Sequence, residues 1–386
     1  MKYRVKHTMV RLCMFFMKII WIFPIKEKVV LFSSFNGTQY SDSPKYLSEY
    51  INNTYKDHDV YWVIDDVNKI PRNLGYHIIN KRNKLMYFFY MCCAKTIIVN
   101  DMMESYIPIR KGQIVLNTWH GGGALKPTGM LEKNVDPNES LFYINQRKKY
   151  TAFLSSSELI TTLQLKQSFL YDKLILPTGL PRNDILLNNH EEAIDKVYQY
   201  YGLKRTHDVS LVLYAPTYRG KVADVLFLPK EQMLSVEDTK QYLERKFKKK
   251  FIFLFRGHHA MHHTLREKEL IDATSYPDMQ EVLCAADVLI TDYSSCGHDF
   301  SLMHKPVFSY IPDVETYLTS RGFMRDIRSL PFQYALDMNG LKNRIMEYDE
   351  EKYCLELEKY FSDIGNYDDG NAIKKTCSWL ESKWNK

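Results

Sequence analysis

Short apolar runs, each closed by polar or turn-forming residues, recur along this chain. Val29-Val30-Leu31-Phe32 ends in Ser33-Ser34-Phe35-Asn36-Gly37, and a helical stretch from Pro44 to Ile51 follows. Val60 to Ile64 is closed by Asp65-Asp66, Lys95 to Val99 by Asn100-Asp101, and Ala152 to Leu154 by three serines, Ser155 to Ser157. Ile114 to Leu116 runs into Asn117-Thr118-Trp119-His120-Gly121-Gly122-Gly123. The second half repeats the rhythm. Leu211 to Tyr214 precedes Ala215-Pro216-Thr217, Phe251 to Phe255 precedes Arg256-Gly257-His258, Val288 to Ile290 precedes Thr291-Asp292, and Val307 to Tyr310 precedes Pro312-Asp313. Runs of this length predict buried strands, and their alternation with helical segments predicts parallel βαβ units. The polar and glycine-containing motifs lie just past strand C-termini, where open α/β sheets bind ligands. The pattern predicts an α/β chain of two Rossmann-like domains whose sites face one cleft. The expected divisions are 1–27, an amphipathic segment; 28–185, an N-terminal domain; and 186–386, a C-terminal domain whose last helix packs back on the first.

The N-terminus follows a different pattern. Residues 8–23 are strongly apolar, but Arg11 and Lys18 interrupt them, so no run approaches the ~20 residues of a spanning helix. Arg4, His7, Arg11 and Lys18 fall at helical spacings and share one face. A narrow basic stripe on a wide apolar helix, ended by Pro24, predicts a segment lying in a membrane interface. No small-residue cleavage site follows, which argues against a signal peptide.

Composition narrows the classes. A chain of 386 residues with 45% apolar content predicts roughly two to three globular domains. Lys and Arg exceed Asp and Glu by 52 − 46 = 6. That excess is too small for a nucleic-acid binder but suits an acidic substrate or an anionic membrane surface. The seven cysteines form no CxxC pair and read as thiols of a reducing compartment, with no disulfide frame or zinc site. His258, His259, His262 and His263 form two i,i+4 pairs. They lack an acidic or cysteine partner at ligand spacing, and Arg256 opposes a cation, so no metal site is predicted. No GxSxG elbow or cysteine–histidine signature points to a covalent intermediate.

The order strand, imidazole, three glycines suits a phosphate brought close to main chain. The later motifs complete a set: Gly179-Leu180-Pro181-Arg182-Asn183-Asp184, Tyr214-Ala215-Pro216-Thr217-Tyr218-Arg219, Arg256-Gly257-His258, Thr291-Asp292-Tyr293-Ser294-Ser295 with Asp299-Phe300, and Tyr310-Ile311-Pro312-Asp313 with Arg321-Gly322. With Trp119-His120-Gly121 they resemble, in order and over roughly 28–380, the CDP-glycerol glycerophosphotransferases of teichoic acid and capsule synthesis. Two departures stand out. The family's commoner segment is WHGTPLK, one residue shorter than the run from Trp119 to Lys126, and Gly257 stands where proline is frequent. The longer loop resembles a subgroup tied to capsules and other surface glycans.

The resemblance implies a GT-B architecture with a membrane-associated N-terminus, peripheral on the cytoplasmic face. It implies transfer of glycerol phosphate from CDP-glycerol to a hydroxyl of a lipid-linked saccharide or glycan acceptor, with release of CMP. His120 is the candidate general base, since an ordinary imidazole (pKa near ~6.5) offers its neutral form at cytoplasmic pH. His258 and Arg256 are expected at the diphosphate, where fixed cations lower the barrier to departure of CMP. Gly121 and Gly122 would let phosphates approach backbone N–H groups. Ser294 and Ser295, opening a helix toward Met303, would form an anion site, with Asp299 one turn further along. Pro216 and Thr217 would line the donor pocket, and Arg182 and Arg219 would contact phosphate or neighbouring loops. No cofactor is required, though loosely bound magnesium is compatible, as is a homo-oligomer. The competing readings are a GT-B enzyme using a nucleotide-activated sugar, a CDP-ribitol donor, and a non-catalytic membrane-bound partner of a polymerase. The chain's length favours addition of one or a few units.

Overall fold

The computed structural model describes residues 2–133, 135, 139–217, 232–257 and 270–385, apart from the side chains of 2–7 and 139. It divides into two compact units. The first comprises Met1–Gly121, Thr128–Asp184 and Asn366–Lys386, and the second Gly122–Pro127 and Ile185–Gly365.

The first unit is built on seven strands: β1 (Lys26–Ser33), β2 (Asp59–Ile64), β3 (His77–Asn80), β4 (Ala94–Val99), β5 (Ile114–Asn117), β6 (Ala152–Leu154) and β7 (Leu174–Leu176). Their order is β3-β2-β1-β4-β5-β6-β7, with every neighbouring pair parallel. The second unit has β8 (Val209–Ala215), β9 (Lys250–Phe255), β10 (Leu270–Asp272), β11 (Val288–Thr291), β12 (Val307–Tyr310) and β13 (Gln333–Ala335). They are ordered β10-β9-β8-β11-β12-β13, again all parallel. Each order reverses once, between β1 and β4 and between β8 and β11. In a parallel sheet the loops on either side of such a reversal diverge and leave a crevice beyond the strand C-termini.

Val29–Phe32 of β1 and Leu211–Ala215 of β8 are buried apolar runs, as a sheet covered by helices on both faces requires. In the first unit Val30, Phe32, Trp62, Ile98, Leu116 and Leu154 pack with Leu47 and Ile51 of the helix Asp42–Thr54. Cys377 and Leu380 of the helix Ala372–Trp384 join the same core. Burying one such leucine contributes about 1.5–3 kcal/mol. The C-terminal helix is thus integral to the first unit, and the Trp384 indole N–H donates to Thr96 Oγ1 at 2.8 Å.

The segment Gly179–Asp184 holds that helix in place. Gly179 has φ +79°, and a Cβ there would lie 2.8 Å from Asp368 Oδ1. The same carboxylate oxygen accepts from the Leu180 N–H at 2.7 Å, while Asp184 accepts from the N–H groups of Ala372 and Ile373 at 2.9 and 2.8 Å. Burial pushes the Asp184 carboxyl up, and these two hydrogen bonds oppose the rise by favouring the anion.

At the N-terminus a helix over Lys2–Met17 continues as a tighter turn over Lys18–Ile22. Arg110 donates to the carbonyls of Trp21 and Phe23, both at 2.9 Å, and fixes this turn to the domain. Met17 is buried, yet Phe15, Phe16, Ile19 and Ile22 are 67%, 62%, 66% and 82% exposed. No described helix is long and apolar enough to cross a membrane.

Candidate active site

In the first unit, three strand ends at the order reversal converge on His120. β5 is buried along its whole length and delivers Asn117, whose side chain accepts from the Trp119 N–H at 2.8 Å and donates to Asp101 O at 2.9 Å. Trp119 then takes a left-handed conformation, φ +55°. For a bulky residue this costs about 1–3 kcal/mol and persists only where the surroundings fix it. Its ring packs edge-on against Phe169, with centroids 4.6 Å apart. The turn brings His120 Nδ1 to 2.7 Å from the carbonyl oxygen of Asn100, the first residue after β4. A carbonyl can only accept, so Nδ1 carries the proton and the neutral ring keeps its lone pair on Nε2. Nε2 is then the ring nitrogen able to take up a proton.

The loop after β1 completes the cradle. The Asn100 side chain accepts from the Phe35 N–H at 2.7 Å and donates to Ser34 Oγ at 3.1 Å. Phe35 and Asn36 are both left-handed, with φ +43° and +56°. The Phe35 ring lies 5.3 Å from the half-buried His120 ring, and the Trp119 ring 4.1 Å from it. Two strained non-glycine residues, Trp119 and Phe35, therefore pack against one imidazole.

In the second unit, the reversal between β8 and β11 also gathers polar groups. Asp292 accepts from the Thr217 N–H at 2.8 and 3.0 Å, from Thr217 Oγ1 at 2.5 Å and from the Tyr293 N–H at 2.5 Å. Tyr293 donates to Asp313 at 2.8 Å and stacks on Tyr317 with centroids 3.9 Å apart. Beyond β9, Arg256 Nη1 donates to Ala273 O at 2.9 Å and Tyr276 O at 2.8 Å. Burial pulls the basicity of that guanidinium down, while nearby Asp278 acts to raise it. Ser294 Oγ accepts from the Cys296 N–H at 3.3 Å, and the helix that follows is only Cys296–Ser301.

Residues 15–382 match the family described as CDP-Glycerol:Poly(glycerophosphate) glycerophosphotransferase. This chain belongs to that family. It is 30% identical over 320 residues, 78% of its length, to the teichoic acid poly(glycerol phosphate) polymerase of Bacillus subtilis (strain 168). It is 28% identical over 345 residues to the protein of that name from Bacillus spizizenii. It spans 41% of the first relative and 84% of the second. Among solved structures, a variant of the wall teichoic acid polymerase TagF superposes with a TM-score of 0.80 at 25% identity, covering 94% of this chain and 90% of that one.

This glycerophosphotransferase family member uses several of its motif residues internally. Arg182, expected at phosphate, places Nη1 3.1 Å from Asp42 Oδ2, and their side chains are 3% and 8% exposed. Its partner is the first residue of the helix Asp42–Thr54, so the guanidinium is engaged inside the first unit. The Thr217 hydroxyl is engaged by Asp292, with Pro216 half-buried beside it. Gly122 is required for packing within the second unit, because a Cβ there would lie 2.7 Å from both Asp299 Oδ1 and His298 Cδ2. Asp299 is itself buried and accepts from Gln280 Nε2 at 3.2 Å. Gly121 abuts the Trp119 indole, 3.1 Å from where its Cβ would be. The helix after Ser295 spans Cys296–Ser301 and stops short of Met303. His258 and Arg219 lie outside the described residues. Among those described, no group of three His, Cys, Asp or Glu side chains could hold a metal ion. Sequence reasoning missed Asn100 and Phe35, which it read only as strand-closing and turn residues. An asparagine directly after a strand next to the one bearing the histidine was the available signal.

Proposed function

We propose that this chain transfers glycerol phosphate from CDP-glycerol to a hydroxyl of a lipid-linked saccharide or glycan acceptor, in the synthesis of teichoic acid or a capsular polymer. The family, the names of the relatives and the tautomer of His120 support the reading. The last of these carries it. In this mechanism His120 Nε2 accepts the proton of the acceptor hydroxyl as its oxygen bonds to the β-phosphorus of CDP-glycerol. The bond from that phosphorus to the bridging oxygen breaks, and CMP leaves with the electron pair. Positioned proton transfer of this kind contributes about 10²–10⁴-fold.

The second unit, in this reading, holds the nucleotide at its own order reversal. Pro216, Thr217, Ser294 and Ser295 line that pocket, and Arg256, with His258, stabilises the charge on the departing phosphate. The exposed apolar face of the N-terminal helix lies in the membrane interface, which keeps the catalyst beside a lipid-linked acceptor at the cytoplasmic face.

The test is product mass spectrometry after incubation of the purified chain with a lipid-linked acceptor and CDP-glycerol, CDP-ribitol or a UDP-sugar. Growth of the acceptor by glycerol phosphate units supports the reading. Growth by sugar units, with CDP-glycerol untouched, overturns it.

A further inference from the structure

We propose that Lys81 is a positioning residue for His120, acting through the left-handed loop that follows β1; this rests on His120 being the base of the transfer. Lys81 comes directly after β3, two strands away from β1 in the sheet. Its own N–H donates to the carbonyl of Ile64, the last residue of β2, at 2.8 Å. From there the side chain runs across the end of β2, and its ammonium donates to both the main-chain carbonyl of Asn36, at 2.6 Å, and the Asn36 side-chain oxygen.

The ammonium is anchored on its other side by Glu104, with Nζ 3.0 Å from Oε1 and both side chains 16% exposed. The second Glu104 oxygen accepts from the Tyr87 hydroxyl at 2.6 Å. Burial would raise the Glu104 carboxyl, but the bonds from Tyr87 and Lys81 outweigh it and hold the group below its ordinary value. The carboxylate therefore stays charged, and the cation keeps a permanent partner.

Space for this reach is provided locally. Gly37 has φ +79°, and a Cβ there would lie 3.2 Å from Lys81 Cδ and 3.3 Å from the Val63 carbonyl. Phe35, Asn36 and Gly37 thus form three consecutive left-handed residues, two of them non-glycine. Such a run relaxes unless outside contacts hold it. Asn100 holds its start through the Phe35 N–H, and Lys81 holds its centre through Asn36. Loss of the Lys81 donor frees the centre. Phe35 then withdraws from the His120 ring, and Asn100, which presents its carbonyl to Nδ1, loses one of its two side-chain ties.

The experiment compares three variants of this chain with wild type: His120→Gln, Lys81→Met, and Lys81→Met combined with Asn36→Gly. Turnover and KM for CDP-glycerol are measured with a lipid-linked acceptor, and the His120 tautomer is read from its imidazole nitrogen shifts after ¹⁵N-histidine labelling. Lys81→Met is expected to lower kcat about ten- to a hundredfold with little change in KM, and to mix the His120 tautomers. Asn36→Gly is expected to restore part of kcat, because glycine adopts the left-handed conformation without being held there. Wild-type kcat and an unmixed tautomer in Lys81→Met, with His120→Gln inactive, overturn the positioning role and leave the base assignment standing. An active His120→Gln chain overturns the base assignment itself. Should Lys81→Met not fold, Glu104→Gln, which weakens the anchor while keeping its shape, is read in the same assays. A smaller loss of kcat with tautomer mixing supports the role, and wild-type values overturn it.

Discussion

The carbonyl oxygen of Asn100 lies 2.7 Å from Nδ1 of His120, while the Asn100 side chain ties the loop after β1 to the same point. One residue thus sets the tautomer of the imidazole with its main chain and its surroundings with its side chain. Asn100→Ala leaves the carbonyl but strands the Phe35 N–H. A fully buried unsatisfied donor costs about 1–3 kcal/mol; the Phe35 bond is part-buried, so a loss near the lower end, about 1 kcal/mol, should register in urea denaturation, together with a fall in kcat.

Arg182 and Asp42 form an ion pair almost closed to solvent. Removing one partner leaves an uncompensated buried charge, so Arg182→Met is expected to destabilise the chain by about 3–5 kcal/mol, read from the urea midpoint at constant m-value. A midpoint unchanged from wild type would contradict an internal role for the arginine.

Lys149 gives a pH dependence of stability. Its ammonium donates to the carbonyls of Glu104 at 2.7 Å and Ser105 at 3.0 Å, and burial pushes its pKa down from 10.5 to about 8. Between those values the unfolded chain holds a proton that the folded chain has released, so stability from this group rises with pH across that window. The full shift corresponds to about 3 kcal/mol. Unfolding free energies of wild type and Lys149→Met at pH 7.5 and pH 10 should differ in slope in this sense, with the steeper rise in wild type.

Phe15, Phe16 and Ile19 point an apolar face into solvent. Replacing all three with serine removes the surface that would enter a bilayer while leaving the Arg110 bonds to Trp21 and Phe23 in place. Co-sedimentation with vesicles containing anionic lipid should drop by at least about tenfold, since each buried apolar side chain is worth about 1.5–3 kcal/mol. Equal sedimentation of the variant and wild type would contradict the membrane reading.

The sequence made the central strands legible and hid the edges. Val29–Phe32, Val60–Ile64, Lys95–Val99, Ile114–Leu116 and Ala152–Leu154 all fall within strands, as do the four runs of the second half. The strands it did not reveal are β3, β7, β10 and β13, which are the outer strands of the two sheets. Edge strands are short and partly wet, so they lack the uninterrupted apolar run that two covering layers of helix impose. The site divides in a similar way. His120 was legible because histidine beside three glycines is a distinctive combination. Its key partner was not, because a main-chain carbonyl belongs to any residue type and only folding places it. Arg182 was legible as part of a motif and Thr217 as a polar residue at a strand end, but their partners Asp42 and Asp292 stand 140 and 75 positions away.

The most direct test of the account is CMP release from CDP-glycerol in the presence of a lipid-linked acceptor by wild type and by His120→Gln, which keeps polarity but cannot take up a proton. The account predicts acceptor-dependent release in wild type and a loss of at least about a hundredfold in the variant, with CDP-glycerol binding retained. Undiminished release by a folded His120→Gln chain would contradict it.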